Sequence, residues 1–389
     1  MPPRKRKASV KTGVEPSYML PTNVYEAAVK RIHWVFDEFE RPAVSWSGGK
    51  DSTVVLEIAL AVARERGRLP LDVYWLDQEC EYQATVAYAR EVAARPDVRF
   101  HWYQVPFRLF NATSSFDTWA NVWGEGEEWV REKEPGAIHE NTFGVDRFTE
   151  VLNAIGMQFD VTLTGVRAEE SPARRIGLTS YPSYKWATWG AKAGRTNTVR
   201  LHPIYDWTFR DVWKAIHVGG WTYNSIYDEQ YRYGVRLREM RVSNYHHETA
   251  LASLFWLQEV EPETWEAATR RLPGIATAGQ IGKEDYFPTE VPFMFSGWED
   301  YFEYLVQHLP ATPEDEETYR NQFTDLVRRL WYEDRERIAQ ACVMSLIAND
   351  LYFSKLNQFY VMHHRTDRDL RAAGLIDEHG NRVPQGESA

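Results

Sequence analysis

Apolar positions along residues 23–217 alternate between short continuous runs and the three-to-four-residue spacing of amphipathic helices. The runs predict strands at residues 43–46, 71–76, 98–105, 160–164 and 199–204, and the helical spacing predicts helices at 23–41, 52–66, 81–94, 145–157 and 208–217. Strands that alternate with helices are typical of a doubly wound, mainly parallel sheet. We therefore expect an α/β fold in this part of the chain.

The pattern changes after Asp206, because most of residues 235–375 has helical spacing interrupted by prolines. Residues 107–143 are irregular, and a segment of this length inside a compact domain is typical of a lid or a binding insertion. The predicted organisation is a basic flexible tail at 1–20, an α/β domain at 21–230 and a mainly helical domain at 231–389. The tail is either a solubilising segment or an arm for nucleic acid or an acidic partner.

Composition and charge limit the classes of protein to which the chain can belong. With 43% apolar and 26% charged residues, the 389-residue chain resembles soluble globular proteins, and no apolar run approaches the ~20 residues that cross a bilayer. The basic N-terminus has no apolar segment behind it, so no secretory signal is predicted. Two cysteines, Cys80 and Cys342, are too few for a disulfide framework or a four-cysteine metal site. We expect a cytoplasmic protein that does not contact a membrane.

The strongest chemical signal is the segment Ser47-Gly48-Gly49-Lys50-Asp51-Ser52, which lies between a predicted strand and a predicted helix. Two glycines allow the backbone to approach a ligand closely, and the start of a helix presents unpaired N–H groups to an anion. Serine hydroxyls add donors, and Lys50 adds a positive charge. The spacing is neither that of a Walker A loop nor that of a dinucleotide fingerprint. The segment therefore predicts a phosphate-binding loop of another kind.

This segment resembles the PP-loop of the adenine nucleotide α-hydrolase superfamily, whose members act at the α-phosphate of ATP or of an adenylyl sulfate. In that superfamily the loop holds the β,γ-diphosphate leaving group. The resemblance implies ATP and Mg²⁺ as cofactors and Lys50 and Asp51 as catalytic residues. It also implies nucleotide binding by the remaining loop residues, Ser47, Gly48, Gly49 and Ser52.

Asp77 ends the second predicted strand, where folds of this kind present a group to the nucleotide at the carboxyl edge of the sheet. We therefore include Asp77 among the candidate nucleotide-binding residues. The alternative is a solvated acid at the end of a strand.

A second candidate anion site follows the strand predicted at 160–164. Gly165–Arg175 resembles the G-x-R-x-x-E-S segment of phosphoadenosine phosphosulfate reductases. This implies a catalytic role for Arg167 and nucleotide binding by Glu170, Ser171, Arg174 and Arg175. Residues 165–200 carry seven basic side chains and two acidic ones, in a chain whose net charge is −11. Because arginine binds phosphate and sulfate bidentately, the segment favours a polyanion site; a solvated basic loop is the alternative.

The segments 202–213 and 224–228 also resemble the reductase family, so the resemblance covers residues 42–230. The thiolate that those enzymes carry in a C-terminal Glu-Cys-Gly segment has no counterpart here. Cys342 lies in an apolar helical context, which predicts a buried, inert thiol. Cys80 follows the second predicted strand and could be reached by solvent. The sequence therefore indicates a relative of the reductases that lacks their cysteine.

Beyond residue 230 the chain is similar to reductase-like proteins named after an immunoglobulin-binding regulator, regulator A, of enterobacteria. The segments 241–249 and 261–265 carry this resemblance. Members of the subgroup are frequent in phages and mobile elements and are often encoded beside a ParB/sulfiredoxin-like protein, which the resemblance implies as a partner. The adjacent histidines at 246 and 247 point about 100° apart on a helix, so no metal site is predicted.

Three functions agree with these observations. The first is an enzyme that adenylylates a nucleic acid or a small acceptor and releases pyrophosphate, which makes it a transferase. The second is a phosphoadenosine phosphosulfate reductase in which Cys80 or a partner supplies the thiol. The third is a nucleotide-binding regulator whose helical domain contacts DNA or a protein. Pyrophosphate release and sulfite release distinguish the three.

Overall fold

The structure is a computed structural model. It describes residues 23–111, 113–114, 119–170, 174–175, 178, 184–193, 198–237, 239–242, 244–246, 253–278, 288, 290–309, 312–347, 367–377 and 382–383. These residues form two compact units that divide near residue 280. The tail predicted at 1–20 and the candidate residue Ser171 lie outside the described residues. The domain boundary predicted at residue 230 stays a prediction.

A six-stranded sheet forms the centre of the first unit. Its strands are β1 Pro42–Ser45, β2 Leu71–Leu76, β3 Val98–Tyr103, β6 Val161–Leu163, β7 Gly190–Ala193 and β8 Thr198–Leu201. They lie in the order β3-β2-β1-β6-β8-β7. Five of them are parallel, and among the described strands of this sheet only the edge strand β7 runs antiparallel to its neighbour. The expected mainly parallel α/β sheet is confirmed.

Helices follow the strands as the apolar spacing predicts. The described helices of this unit are α1 Val24–Glu38, α2 Lys50–Glu65, α3 Gln83–Ala93, α4 Phe148–Gly156, α5 Phe209–Gly219, α6 Ile226–Tyr233, α7 Leu254–Val260, α8 Pro262–Arg271 and α9 Ile275–Ala278. Local signals set several of their ends. Asn23 accepts a hydrogen bond from the Glu26 backbone at the start of α1, and Thr208 with Asp211 forms a capping box at the start of α5.

The start of α3 is capped from a distant part of the chain. The backbone N–H groups of Gln83 and Ala84 donate to the two carboxylate oxygens of Glu261, at 2.8 and 3.1 Å. Glu261 immediately precedes α8, so this contact joins α8 to the sheet domain. Carboxylates stabilise helix N-termini because they satisfy unpaired N–H groups and oppose the helix dipole.

Two elements differ from the expectation. The segment 107–143 contains an antiparallel hairpin, β4 Phe107–Phe110 paired with β5 Trp119–Val122. Strand β7 lies within residues 165–200, where a polyanion-binding loop was expected. Strand β7 contains no β-branched or aromatic residue, and β4 and β5 are joined by a pairing between separate segments, so neither feature was indicated by a local apolar run.

The second unit is helical where it is described. It contains α10 Trp298–His308, α11 Pro313–Arg329, α12 Arg335–Ile347 and α13 Asp367–Ala372. Phe302, Tyr319, Leu326 and Val343 belong to its buried core together with Cys342. No described helix in either unit is long and apolar enough to cross a membrane.

Candidate functional site

The site lies where the carboxyl ends of β1 and β6 meet. These strands are neighbours in parallel register, with Val44 opposite Leu163, although more than 100 residues separate them in sequence. The strand order reverses here, because β2 and β3 lie on one side of β1 whereas β6 and β8 lie on the other, and such switch points open a crevice for ligands. The two motifs identified from the sequence, one at 47–52 and one beginning at Gly165, therefore follow adjacent strands.

Gly165 allows the two motifs to come into contact. A β-carbon at this position would lie 2.7 Å from the carbonyl carbon of Asp51 and 2.8 Å from the backbone nitrogen of Ser52. Both distances are shorter than non-bonded atoms allow. Only glycine therefore fits against the first turn of α2 without displacing it.

The loop itself has the geometry of a phosphate cradle. Gly48 has a φ of 74°, a left-handed conformation that favours glycine. Gly49 is the N-cap of α2, which has no side-chain cap. Ser52 fixes the turn, because its hydroxyl donates to the Gly49 carbonyl at 2.9 Å and accepts from the Ser47 backbone at 3.2 Å. The start of α2 is thus shaped to receive an anion.

The Lys50 side chain is buried. It is 7% exposed, its ammonium donates to the Met240 carbonyl at 3.2 Å, and it pairs with Asp51 at 3.3 Å. Its backbone N–H donates to the Tyr227 hydroxyl at 3.0 Å. Burial lowers the pKa of Lys50, and the Asp51 carboxylate opposes this shift. Residues 227 and 240 cover the loop, and a local sequence pattern could not reveal this.

Arg167 lies beside the loop and contacts its acid. It is 5% exposed, its Nε donates to Asp51, and its Nη1 donates to Glu169 at 3.0 Å. This arrangement fixes the position of the Asp51 carboxylate at the start of α2. The expected proximity of Arg167 and the loop is therefore present, although protein carboxylates occupy part of the guanidinium.

Glu170 and Arg174 continue this charged group. Arg174 pairs with Glu170, which also lies 3.9 Å from a nitrogen of Arg167. The structure thus brings Lys50, Asp51, Arg167, Glu170 and Arg174 into one network. Arg175 is exposed, and its role in nucleotide binding stays a prediction.

Asp77 is enclosed by protein donors, which differs from the solvated or ligand-facing acid that the sequence suggested. It is 0% exposed and accepts hydrogen bonds from Trp102 Nε1 at 2.8 Å and Gln104 Nε2 at 2.9 Å. Arg131 forms an ion pair with the same carboxylate. These partners come from β3 and the segment that follows it, so the geometry gives Asp77 a structural position; nucleotide binding by Asp77 stays a prediction.

Two further buried acids follow Asp77, and the sequence analysis did not identify them. Glu79 is 1% exposed, accepts from the Trp123 backbone at 2.8 Å and pairs with Arg271 at 2.9 Å. Glu81 is 3% exposed. Acids at three alternate positions directly after a strand were the available signal. Burial and the neighbouring Asp77 raise the pKa of Glu81 to about 8.

This raised pKa predicts a pH-dependent stability. The pKa of Glu81 is about 8 in the folded protein against an ordinary 4.5, so folding favours its protonated form. Its contribution to stability is complete below pH 4.5 and is lost as the pH rises to about 8. The difference in free energy of unfolding between Glu81→Gln and wild type should therefore grow as the pH rises from 4.5 to about 8. Urea unfolding of both proteins at pH 5, 7 and 9 measures the difference, and a constant difference would contradict the assignment.

Neither cysteine is placed for attack on a substrate. Cys80 is 2% exposed, and burial raises its pKa well above the usual value; the expectation of an accessible thiol was wrong. Tyr245, which lies far along the chain, contacts it. Cys342 is fully buried as expected, and burial raises its pKa as well.

Two residues that shape the site lie in the segment 224–228, which resembles the reductases but was assigned no site residue. The side-chain nitrogen of Asn224 donates to the Gly48 carbonyl at 3.2 Å and to the Thr85 hydroxyl at 2.7 Å. Asn224 is 1% exposed. It thereby connects the loop to the start of α3. Tyr227 was noted only within a segment that resembles the reductases, and its contact with Lys50 was not predicted.

Comparison with protein families agrees with this architecture. Residues 41–233 match the phosphoadenosine phosphosulfate reductase domain, and residues 234–380 match a domain of unknown function, DUF3440. The chain therefore contains a phosphoadenosine phosphosulfate reductase-like domain of the PP-loop superfamily, followed by a DUF3440 domain.

Among individual relatives, the uncharacterised protein YbdN of Escherichia coli is 28% identical over 335 residues, which cover 81% of this chain and 82% of that protein. Sulfate adenylyltransferase subunit 2 of Nocardia farcinica is 25% identical over 46% of this chain, and that of Mycobacterium tuberculosis is 29% identical over 49%. The matches span 56% and 58% of those two subunits.

Among solved structures, phosphoadenylyl-sulfate reductase from Candida auris, in a phosphate complex, is 13% identical with a TM-score of 0.34. The match covers 57% of this chain and 89% of that one.

Proposed function

We propose that this protein is an enzyme that acts at the α-phosphate of ATP, transfers the adenylyl group to an acceptor and releases pyrophosphate. The observation that carries the proposal is the contact between the glycine loop after β1 and the segment that follows β6. Gly165 packs against the first turn of α2, and Arg167 contacts Asp51. The glycine loop, the start of α2 and the cations Lys50 and Arg167 thus lie together at the carboxyl edge of the sheet.

The chemistry of this arrangement suits a diphosphate leaving group. When an acceptor attacks the α-phosphorus, the bond to the bridging oxygen breaks and negative charge develops on the departing pyrophosphate. Preorganised N–H groups and cations stabilise that charge without reorganisation. We assign this role to the start of α2, whose N-cap glycine has no side-chain cap, and to the Lys50 ammonium, which lies there paired with Asp51. The name of the sulfate adenylyltransferase relatives supports the same class of reaction.

A β-carbon at Gly48 would lie 2.8 Å from a Thr85 methyl carbon, so packing of the loop requires glycine here. We expect the triphosphate to bind beside it, at the start of α2, which has no side-chain cap. Mg²⁺ supplies charge neutralisation of the phosphates and is usually bound through them, with few protein ligands. No group of three or more potential ligands for a metal ion occurs among the described residues. We therefore assign no protein ligand to Mg²⁺.

The proposal is tested with ATP labelled at the α-phosphate and a coupled pyrophosphate assay. We expect pyrophosphate together with AMP or an adenylylated acceptor. ADP as the only nucleotide product would exclude reaction at the α-phosphate. Nucleic acid, which stays a predicted acceptor, and a ParB/sulfiredoxin-like protein, which stays a partner implied by the resemblance, are added in turn.

A variant without thiols separates this proposal from sulfonucleotide reduction. Because both thiols are buried, Cys80→Ser with Cys342→Ser should retain pyrophosphate release, with some loss of stability at the apolar site of Cys342. Sulfite and pyrophosphate are measured for the double variant and for wild type. Thiol-dependent sulfite release by wild type that disappears with Cys80 would instead support the reductase.

A further inference from the structure

We infer that Arg241, in the DUF3440 domain, binds the β,γ-diphosphate of the nucleotide, so that this domain supplies part of the phosphate site. The inference rests on the proposed function and deepens it. The reductase-like domain ends at residue 233 in the family comparison, and its motifs therefore do not include Arg241.

The backbone around Arg241 lies directly on the glycine loop. On one side, the Met240 carbonyl accepts from the Lys50 ammonium at 3.2 Å. On the other, a methyl carbon of Val242 lies 3.1 Å from the position of a β-carbon on Gly49. Arg241 is the residue between these two contacts. Its side chain therefore starts within reach of the anion site at the start of α2.

A buried glutamine holds this backbone in place. Gln230 is 1% exposed; its amide nitrogen donates to the Arg241 carbonyl at 2.7 Å, and its amide oxygen accepts from the Arg241 N–H at 3.2 Å. Three residues further on, Asn244 donates to the side chain of Gln78 at 2.6 Å. A fixed backbone reduces the conformational entropy that a side chain loses when it binds a ligand.

The other cations of the site are paired with carboxylates, which leaves Arg241 as the cation that we assign to the phosphate. Lys50, Arg167 and Arg174 each pair with a carboxylate, and the acids they share are Asp51, Glu169 and Glu170. The Arg241 guanidinium is exposed and has no ion pair with a described residue. Burial is the main cause that lowers the pKa of Lys50 and of Arg174, and the positive charge of Arg241 acts in the same direction on both. An exposed guanidinium among paired cations is suited to bidentate binding of a phosphate.

Arg241→Ala in the full chain tests the inference, with Arg236→Ala as a matched control. Arg236 is exposed and pairs with Glu239. Calorimetry measures binding of MgATP, inorganic pyrophosphate and AMP. We expect Arg241→Ala to weaken binding of MgATP and pyrophosphate about tenfold, as loss of a charged hydrogen bond implies, and to change AMP binding by less than about twofold. Arg241→Lys should recover part of the loss, and Arg236→Ala should match wild type.

The outcomes separate this inference from the proposed function. If wild type releases pyrophosphate from ATP, and Arg241→Ala binds MgATP and pyrophosphate as tightly as wild type does, the inference is overturned and the proposed function remains. If wild type binds pyrophosphate through Arg241 without cleaving ATP, the inference holds and the proposed reaction fails. Weakening of all three ligands in parallel would indicate a general structural effect and would overturn the assignment to the diphosphate. Wild type that binds neither phosphate probe would overturn both.

Discussion

Gly165→Ala should reduce pyrophosphate release from ATP about 100-fold, because a displacement of about 1 Å at a reacting centre has an effect of that order. The added methyl would lie 2.7 Å from the Asp51 carbonyl carbon and 2.8 Å from the Ser52 nitrogen. Both are backbone atoms, so no side-chain rotation relieves the contact. Either β6 or the first turn of α2 must move, and the phosphate cradle moves with it.

Gly136→Ala is the control for this substitution. A β-carbon at Gly136 meets no atom within 4 Å, so the same chemical change should leave turnover and melting temperature close to those of wild type. Turnover is measured with the pyrophosphate assay, and melting temperature is recorded for both variants. Full activity in Gly165→Ala would show that the loop and the segment after β6 do not act as one site.

Asp77→Ala should lower the free energy of unfolding by about 3–5 kcal/mol, as removal of one partner from a buried ion pair typically does. The carboxylate is 0% exposed and accepts from Trp102, Gln104 and Arg131. Its removal leaves the Arg131 charge buried without its partner. Urea unfolding of the purified variant measures the loss.

Glu239→Ala serves as the control, because it removes an exposed ion pair instead of a buried one. Glu239 pairs with Arg236 on the surface, where both side chains are more than half exposed, and such pairs contribute at most about 1 kcal/mol. Asp77→Ala that unfolds like wild type but has lost ATP affinity would show that Asp77 is a nucleotide ligand after all.

The sequence was most informative where the determinants are consecutive residues. Ser47–Ser52 contains the glycines, the serines and the helix start of the phosphate loop within six positions, and strand β2 was predicted at its observed bounds, Leu71–Leu76. Alternating strands and helices also sufficed for the mainly parallel sheet. Local propensity and spacing determine these features, and both can be read from a short window.

The burial of side chains at the site depends on contacts between residues that are far apart in the sequence. Lys50 is covered by Tyr227 and Met240, which lie 177 and 190 positions away. Cys80 was expected to be reachable, yet Tyr245 contacts it from the following domain. The residue types along a sequence show which side chains are polar or nucleophilic. Whether such a side chain is exposed depends on the residues that pack against it in the folded chain.

The Glu261 contact also determines how many places along the sheet edge attract an anion. Helices α2 and α3 both begin at the carboxyl ends of parallel strands, and each helix start carries a partial positive charge. At α3 the carboxylate of Glu261 already occupies the two N–H groups of Gln83 and Ala84. At α2 the N-cap is a glycine without a side-chain cap, and the Lys50 N–H donates to the Tyr227 hydroxyl, which is uncharged and leaves the positive helix end unneutralised. The chain's own acid thus neutralises one of these two helix starts, and an incoming phosphate meets a single attractive position instead of two competing ones.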